Sequence, residues 1–279
     1  MEKDISARLS TLGHPDRLAT FRLLMRRYPD RVPAGELSEA LGLKASTMSA
    51  HLSALMKAKL VSQTRVATSL RYAIDMEEAR RTFDYLLLDC CRGRPEVCSP
   101  VSLLSPSTGP SDGKYKILFV CTGNSARSIF AESILRKEAG DRFEACSAGT
   151  QPTSELNPFA LEVLKQAGHD TSVLRSKNVA EFQHPDTPKF DFVFTVCNKA
   201  ANEECPAWAG QPISAHWGLP DPVQSEGSDA EKALAFRDAH DALRNRITAF
   251  TTLPIASLDR ISLQKAVDQI GSAGVGAPA

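Results

Sequence analysis

The sequence predicts an α+β winged helix-turn-helix domain followed by an α/β flavodoxin-like domain with a parallel sheet. Three observations carry that expectation. Residues 5–90 repeat Leu, Ala and Arg at helical spacing with one short β-like patch. Residues 99–113, SPVSLLSPSTGPSDG, are dense in Ser, Pro and Gly. Residues 114–252 alternate apolar strand-like runs with helical ones. The expected divisions are a winged helix-turn-helix domain at 1–98, a flexible linker at 99–113, an α/β domain at 114–270 and a disordered tail at 271–279.

The bulk numbers fit two ordinary domains: 279 residues, 42% hydrophobic and 24% charged. Net charge is zero, but residues 1–98 carry 16 Lys and Arg against 12 Asp and Glu, and the remainder carries 17 against 21. A mildly basic first half suits a polyanion without establishing one. Met1-Glu-Lys-Asp4 lacks the apolar core of a secretory signal, and no run reaches the ~18–20 apolar residues of a membrane span. A cytoplasmic location is expected, with the seven cysteines kept reduced for chemistry or ligation.

Between His14 and Tyr28, Leu18, Phe21, Leu24 and Met25 recur on one predicted helical face. Gly35–Gly42 predicts a short helix closed by glycine, and Lys44–Met56 a second helix after a tight turn. The second helix directs Met48, Leu52, Leu55 and Met56 inward. Ser46, Thr47, Ser49, His51 and Lys57, with Arg65 from the following hairpin, are the expected DNA contacts. Leu60–Val66 and Leu70–Ile74 predict that hairpin, the wing.

The stretch His14–Ile74 resembles the ArsR-type winged-helix metalloregulators, through "HPDRL", "GELSEALGLKASTMSAHLSAL" and "KLVSQTRV". The resemblance implies a homodimer formed through this domain. It also implies binding to operator DNA that is released when a thiophilic metal or metalloid arrives. Many relatives carry a Cys-x-Cys pair where this chain has Pro33, Ala34 and Gly35, so an inducer site there is excluded. The alternative is Cys90, Cys91 and Cys98. Gly93 and Pro95 force a turn between them, and three soft thiolates suit trivalent arsenic or antimony. The set lacks the four ligands of a structural zinc site.

In the second half, the apolar strand Tyr115–Val120 runs directly into Cys121-Thr-Gly-Asn-Ser-Ala-Arg127-Ser128, and a helix follows over Ile129–Lys137. A Cys-x5-Arg loop between strand and helix wraps a tetrahedral oxyanion. The expected cradle is Thr122, Gly123, Asn124, Ser125, Ala126, Arg127 and Ser128, with Arg127 gripping two oxygens. A positive environment is expected to lower the pKa of Cys121 and make it a nucleophile. Ser128 is expected to hydrogen-bond its sulfur and Asn124 to brace the loop. A phosphatase and an arsenate reductase both use such a loop. The buried strand Asp191–Val196 ends at Cys197, and Cys205 lies eight positions on, which favours a disulfide relay from Cys121 to Cys197 to Cys205.

From Lys116 to about Leu253 the chain resembles the arsenate reductases of the low-molecular-weight phosphatase fold, through "ILFVCTGNSARS", "SAGT", "FTVCNKAANEECPAW" and "HWGLPDP". The resemblance implies a relay ending at thioredoxin, glutaredoxin or a low-molecular-weight thiol, no tightly bound cofactor, and an acid role for Asp221. Ala126 stands where many relatives have cysteine, outside the relay. The Cys197–Cys205 interval is about one residue longer than usual, which leaves the relay geometry and the choice of reductant open. Cys146 is expected in the core, and His216 and Trp217 as packing. His14, His169 and His184 are expected at the surface or as caps. The whole reads as an arsenite-responsive repressor fused to an enzyme that makes arsenite. A regulator-fused phosphatase and an oxyanion sensor without turnover are the rivals.

Overall fold

The computed structural model describes residues 2–90, 113–184, 187, 189–203, 208 and 210–273. The linker at 99–113 therefore lies outside the described residues, apart from Gly113. The chain divides into two compact units, Met1–Ser105 and Pro106–Ala279. Among the described residues no helix is long and apolar enough to cross a membrane.

The first unit runs α1 (Glu2–Leu12), α2 (Pro15–Arg26), β1 (Val32–Pro33), α3 (Ala34–Ala40), α4 (Ala45–Lys57), β2 (Val61–Val66), β3 (Ser69–Ile74) and α5 (Met76–Asp84). A π-helical turn, Tyr85–Cys90, follows α5. His14 Nδ1 caps α2 by accepting from Asp16 N–H at 3.1 Å, and Pro15 takes the first helical position, where its missing N–H costs nothing. Between α3 and α4 the chain reverses at Gly42, whose φ of +63° favours glycine. β2 and β3 pair antiparallel from Val61–Ile74 to Val66–Ser69, and β1 adds to β3. The core joins Phe21, Leu23 and Leu24 of α2 to Leu37, Met48, Leu52, Leu55 and Leu60. Leu18 and Met25, expected in that core, are 43% and 37% exposed. The inward stripe of α2 keeps Phe21 and Leu24 as expected and takes Thr20 and Leu23 in place of Leu18 and Met25.

In the second unit β4 (Tyr115–Cys121), α6 (Arg127–Ala139), β5 (Phe143–Gly149), α7 (Pro158–Gln166), β6 (Phe192–Thr195), α8 (Asn198–Asn202), β7 (Ile213–His216), α9 (Asp229–Thr251) and α10 (Arg260–Ser272) follow. The four strands are parallel in the order β5-β4-β6-β7. β4 is central and near-continuously apolar, as a strand covered on both faces must be. Its order reverses there: β5 pairs on one side and β6 on the other. The carboxyl ends of β4 and β6 thus flank the crevice where such sheets place their sites. An aromatic cluster fills the core beneath, with Phe194 stacked on Trp217 at 4.0 Å between centroids. The expected tail at 271–279 begins too early. Gly271 and Ser272 complete α10, and a Cβ on Gly271 would lie 2.5 Å from the His216 carbonyl, so that helix docks on the site-bearing loop.

Candidate active site

The loop after β4 is held from outside. The carbonyls of Cys121, Thr122, Gly123 and Ser125 accept from Thr150, Gln151, Thr153 and Asn157 at 2.9–3.0 Å. In trans peptides the next residue's N–H points the opposite way, so the amides of Thr122, Gly123, Asn124 and Ala126 turn from that segment. Asn124 N–H meets Cys121 Sγ at 3.1 Å. Gly149 permits this closeness, because a Cβ there would stand 2.5 Å from the Thr122 carbonyl oxygen.

Cys121 is 3% exposed, with Ser128 Oγ 2.8 Å from its sulfur. Asn124, at φ +46°, donates through Nδ2 to Ser128 Oγ at 2.9 Å and to Ser147 Oγ at 2.8 Å. Its Oδ1 accepts from Lys177 N–H at 2.7 Å. Asn tolerates the left-handed conformation better than other non-glycine residues, which suits it to this corner. Behind it Ser147 Oγ donates to Glu132, whose carboxylate pairs with Lys177 Nζ at 2.9 Å. Both charged groups are buried, at 2% and 7% exposure. Sequence reasoning missed this buttress. A lone carboxylate in the apolar run Ile129-Phe-Ala-Glu132-Ser-Ile-Leu135 was its one visible sign.

The expected lowering of the Cys121 pKa is not what the site produces. Burial pushes the thiol up, and the neighbouring Cys197 adds to that. Hydrogen bonds from Ser128 and the Asn124 amide, and the Arg127 charge, oppose it without prevailing. Arg127 is itself committed: its guanidinium pairs with Asp221 Oδ2 at 2.7 Å and donates to the Leu219 carbonyl at 2.9 Å. Asp221 Oδ1 also accepts from Val223 N–H at 3.2 Å. The structure thus brings Cys121, Arg127 and Asp221 to one loop cluster, with Asp221 holding the Arg127 cation.

Cys197 is buried and caps α8, with Thr122 Oγ1 and the Ala200 amide both 3.4 Å from its sulfur. Contact with Thr122 sets it beside the loop that begins at Cys121. Cys205 lies outside the described residues. Trp217 and His216 are buried, the latter within 2.8 Å of Thr195 Oγ1 and 3.2 Å of Asn198 Oδ1. Arg246, also missed, donates to the carbonyls of Trp217 and Gly218 at 2.6 and 3.3 Å and anchors the loop leading to Asp221. Cys146 is half-buried at the edge of the core, its thiol pushed up to about 11 chiefly by burial. His169 reaches Ser133 Oγ at 3.0 Å, and His184 is exposed.

In the first unit Ser46, Ser49, Lys57 and Arg65 are exposed and Thr47 is half-buried. His51 departs from the expected contacts. It is 9% exposed and lies 3.4 Å from Asp16 Oδ2, on the inner side of α4. Counting from Ser46, five residues bring the chain past the solvent-facing stripe. Cys90 is exposed at the end of the π-helical turn, and Cys91 and Cys98 lie outside the described residues.

A buried thiol and an arginine on a strand-to-helix loop, joined to a helix-turn-helix unit, define a DNA-binding protein that carries an oxyanion-handling thiol enzyme. The low molecular weight phosphotyrosine protein phosphatase family matches residues 116–265, more than half the chain, and a helix-turn-helix domain matches residues 12–64. An arsenate reductase of Halalkalibacterium halodurans is 38% identical over 137 residues, 49% of this chain and 95% of that protein. One from Bacillus subtilis is 34% identical over 134 residues, 48% of this chain and 93% of that protein. A solved arsenate reductase in the phosphate binding state is 25% identical, with a TM-score of 0.38, over 48% of this chain and 94% of its own. The chain belongs to the low molecular weight phosphotyrosine protein phosphatase family, with its enzymatic half among that family's arsenate reductases.

Proposed function

We propose that the protein is a cytoplasmic ArsR-type repressor, with a winged helix, fused to an arsenate reductase that runs on a three-thiol relay. The observation that supports the enzymatic part best is the pairing of Cys121, under the amide of Asn124, with a second buried thiol, Cys197, in contact with Thr122. Arsenate enters the loop formed by Thr122–Ser128 and displaces Asp221 from Arg127. The freed Asp221 carboxylate takes the proton that Cys121 gives up and passes it to the departing oxygen as the resulting thiolate attacks arsenic, releasing water and forming a sulfur–arsenic bond. Cys197 then attacks the Cys121 sulfur. A Cys121–Cys197 disulfide forms, the sulfur–arsenic pair passes to arsenic, and As(V) leaves as arsenite. Cys205 attacks Cys197, restoring Cys121, and an external dithiol such as thioredoxin reduces the Cys197–Cys205 disulfide. No tightly bound cofactor enters this sequence. A phosphatase of the same fold needs neither Cys197 nor Cys205, so phosphate-ester hydrolysis retained after both are replaced, with no arsenate reduction in the parent, would favour that rival.

In the regulatory part Ser46, Thr47, Ser49, Lys57 and Arg65 contact operator DNA. Two copies pair through the first unit, where Leu9 of α1 and Met76 and Phe83 of α5 leave apolar side chains 37–44% exposed. Arsenite made by the enzyme binds Cys90, Cys91 and Cys98 and lowers DNA affinity, which linkage allows only if it binds the DNA-free form more tightly. The test is operator release by arsenite followed by fluorescence anisotropy. The parent is expected to release DNA and Cys90→Ser to hold it; release by Cys90→Ser removes that cysteine from the inducer site.

A further inference from the structure

The helix-turn-helix unit holds a second group of donor atoms that DNA contact and thiol chemistry leave unused. His14 and Asp16 sit at the start of α2, and His51 comes from the inner side of α4, 35 positions from Asp16 in sequence. One donor atom from each of the three lies within 4.8 Å of the other two. The two imidazole rings are 4.8 Å apart between centroids, tilted by 49°. His51 Nε2 is the telling atom. It is buried and makes no hydrogen bond among the described residues. Asp16 Oδ2 stands 3.4 Å away, near enough to attract a positive charge but not aligned to accept a hydrogen bond. A buried polar nitrogen left in this condition is costly unless something satisfies it.

We infer that His14, Asp16 and His51 form a binding site for a first-row divalent transition metal of the zinc type, with the fourth position open to water. Two imidazoles and a carboxylate are the borderline nitrogen and oxygen donors that zinc, cobalt and nickel accept, and they offer nothing to a thiophilic metalloid. The site is therefore chemically separate from Cys90, Cys91 and Cys98. Bonds of ~2.0–2.1 Å in a tetrahedron set donors roughly 3.3 Å apart, so the group closes by about 1 Å or more on binding. Asp16 has the freedom for this, with a side chain 41% exposed. His14 Nδ1 already acts as an acceptor, from the Asp16 amide, so that nitrogen carries a lone pair without a proton. A metal ion taking that lone pair replaces one capping hydrogen bond. Bound there, it ties α4, whose Ser46 and Ser49 face solvent, to the first turn of α2.

The test uses the full chain with Cys90, Cys91 and Cys98 changed to serine, titrated anaerobically with cobalt(II). The expected result is one equivalent bound, with the visible bands of a tetrahedral ion and no sulfur-to-cobalt charge transfer. His51→Gln and the conservative, half-exposed Asp16→Asn should each weaken binding at least tenfold while thermal melting shows both folded. A parent that binds no stoichiometric cobalt, a spectrum carrying sulfur charge transfer, or parental affinity in either variant overturns the site.

Discussion

The candidate DNA-contacting side chains of the first unit and the loop-bracing ones of the second are placed in opposite ways. Ser46, Ser49, Lys57 and Arg65 of the first unit lie in solvent, whereas Asn124, Ser128 and Ser147 of the second are fully buried and bonded to one another. The difference follows from the anion each is proposed to handle. A DNA phosphate arrives from outside and is met by mobile charges in water, where each contact is weak and screened by salt. An oxyanion undergoing chemistry needs donors fixed before it arrives, and fixing them means burial, where an unmet partner is expensive. Substitutions at these solvent-facing positions of the first unit should thus change binding without changing stability, and those at the buried loop positions of the second should change both.

The largest effect expected is at the nucleophile. Cys121→Ser should lower arsenate turnover on the order of 10⁴-fold or more, while operator binding measured on the same preparation stays at the parental level. Loss of both would mean that the two units are not independent. Next comes the buttress. Lys177→Met removes the buried one of two cations on the Glu132 carboxylate, leaving Arg136 at 2.6 Å, and should destabilise the second unit by about 2 kcal/mol, read by urea unfolding. An unchanged midpoint would show that the pair is dispensable.

Ser128→Ala removes a hydrogen bond that favours the thiolate, so the Cys121 thiol should rise further above its ordinary 9.0. The pH profile of its alkylation should shift to higher pH, and turnover at neutral pH should fall about tenfold. Asp268 gives a smaller effect. Burial raises its carboxyl from 3.8 to about 6, so across that window the unfolded chain ionises first and stability falls as pH rises. Asp268→Asn should therefore stabilise by about 1 kcal/mol at pH 7.5, after allowance for its partial exposure, and by nothing near pH 3.5. Smallest is Lys57→Ala, which should reduce the salt dependence of operator binding by about one counterion without moving the melting temperature.

The same contrast explains what was legible in the sequence. The parallel sheet, the Cys121–Arg127 loop and the helix-turn-helix order were readable because each is local: an apolar run, a fixed spacing, a glycine at a turn. Ser128 and Asn124 were readable as parts of that loop. The buttress was not, since Glu132, Ser147 and Lys177 come from three segments and meet only when β5 and α6 pack. His51 was misplaced for a related reason. A polar residue on a recognition helix reads as a contact until the fold shows that its neighbours point inward. The raised Cys121 thiol has the same origin: sequence shows the nearby arginine but not the burial that outweighs it.

The most direct test of the relay is arsenate-dependent NADPH oxidation with thioredoxin and thioredoxin reductase, comparing the parent with Cys205→Ser. Continuous turnover in the parent, reduced to a single arsenite per chain in the variant, is the predicted result. Parental turnover by Cys205→Ser would contradict a three-thiol relay.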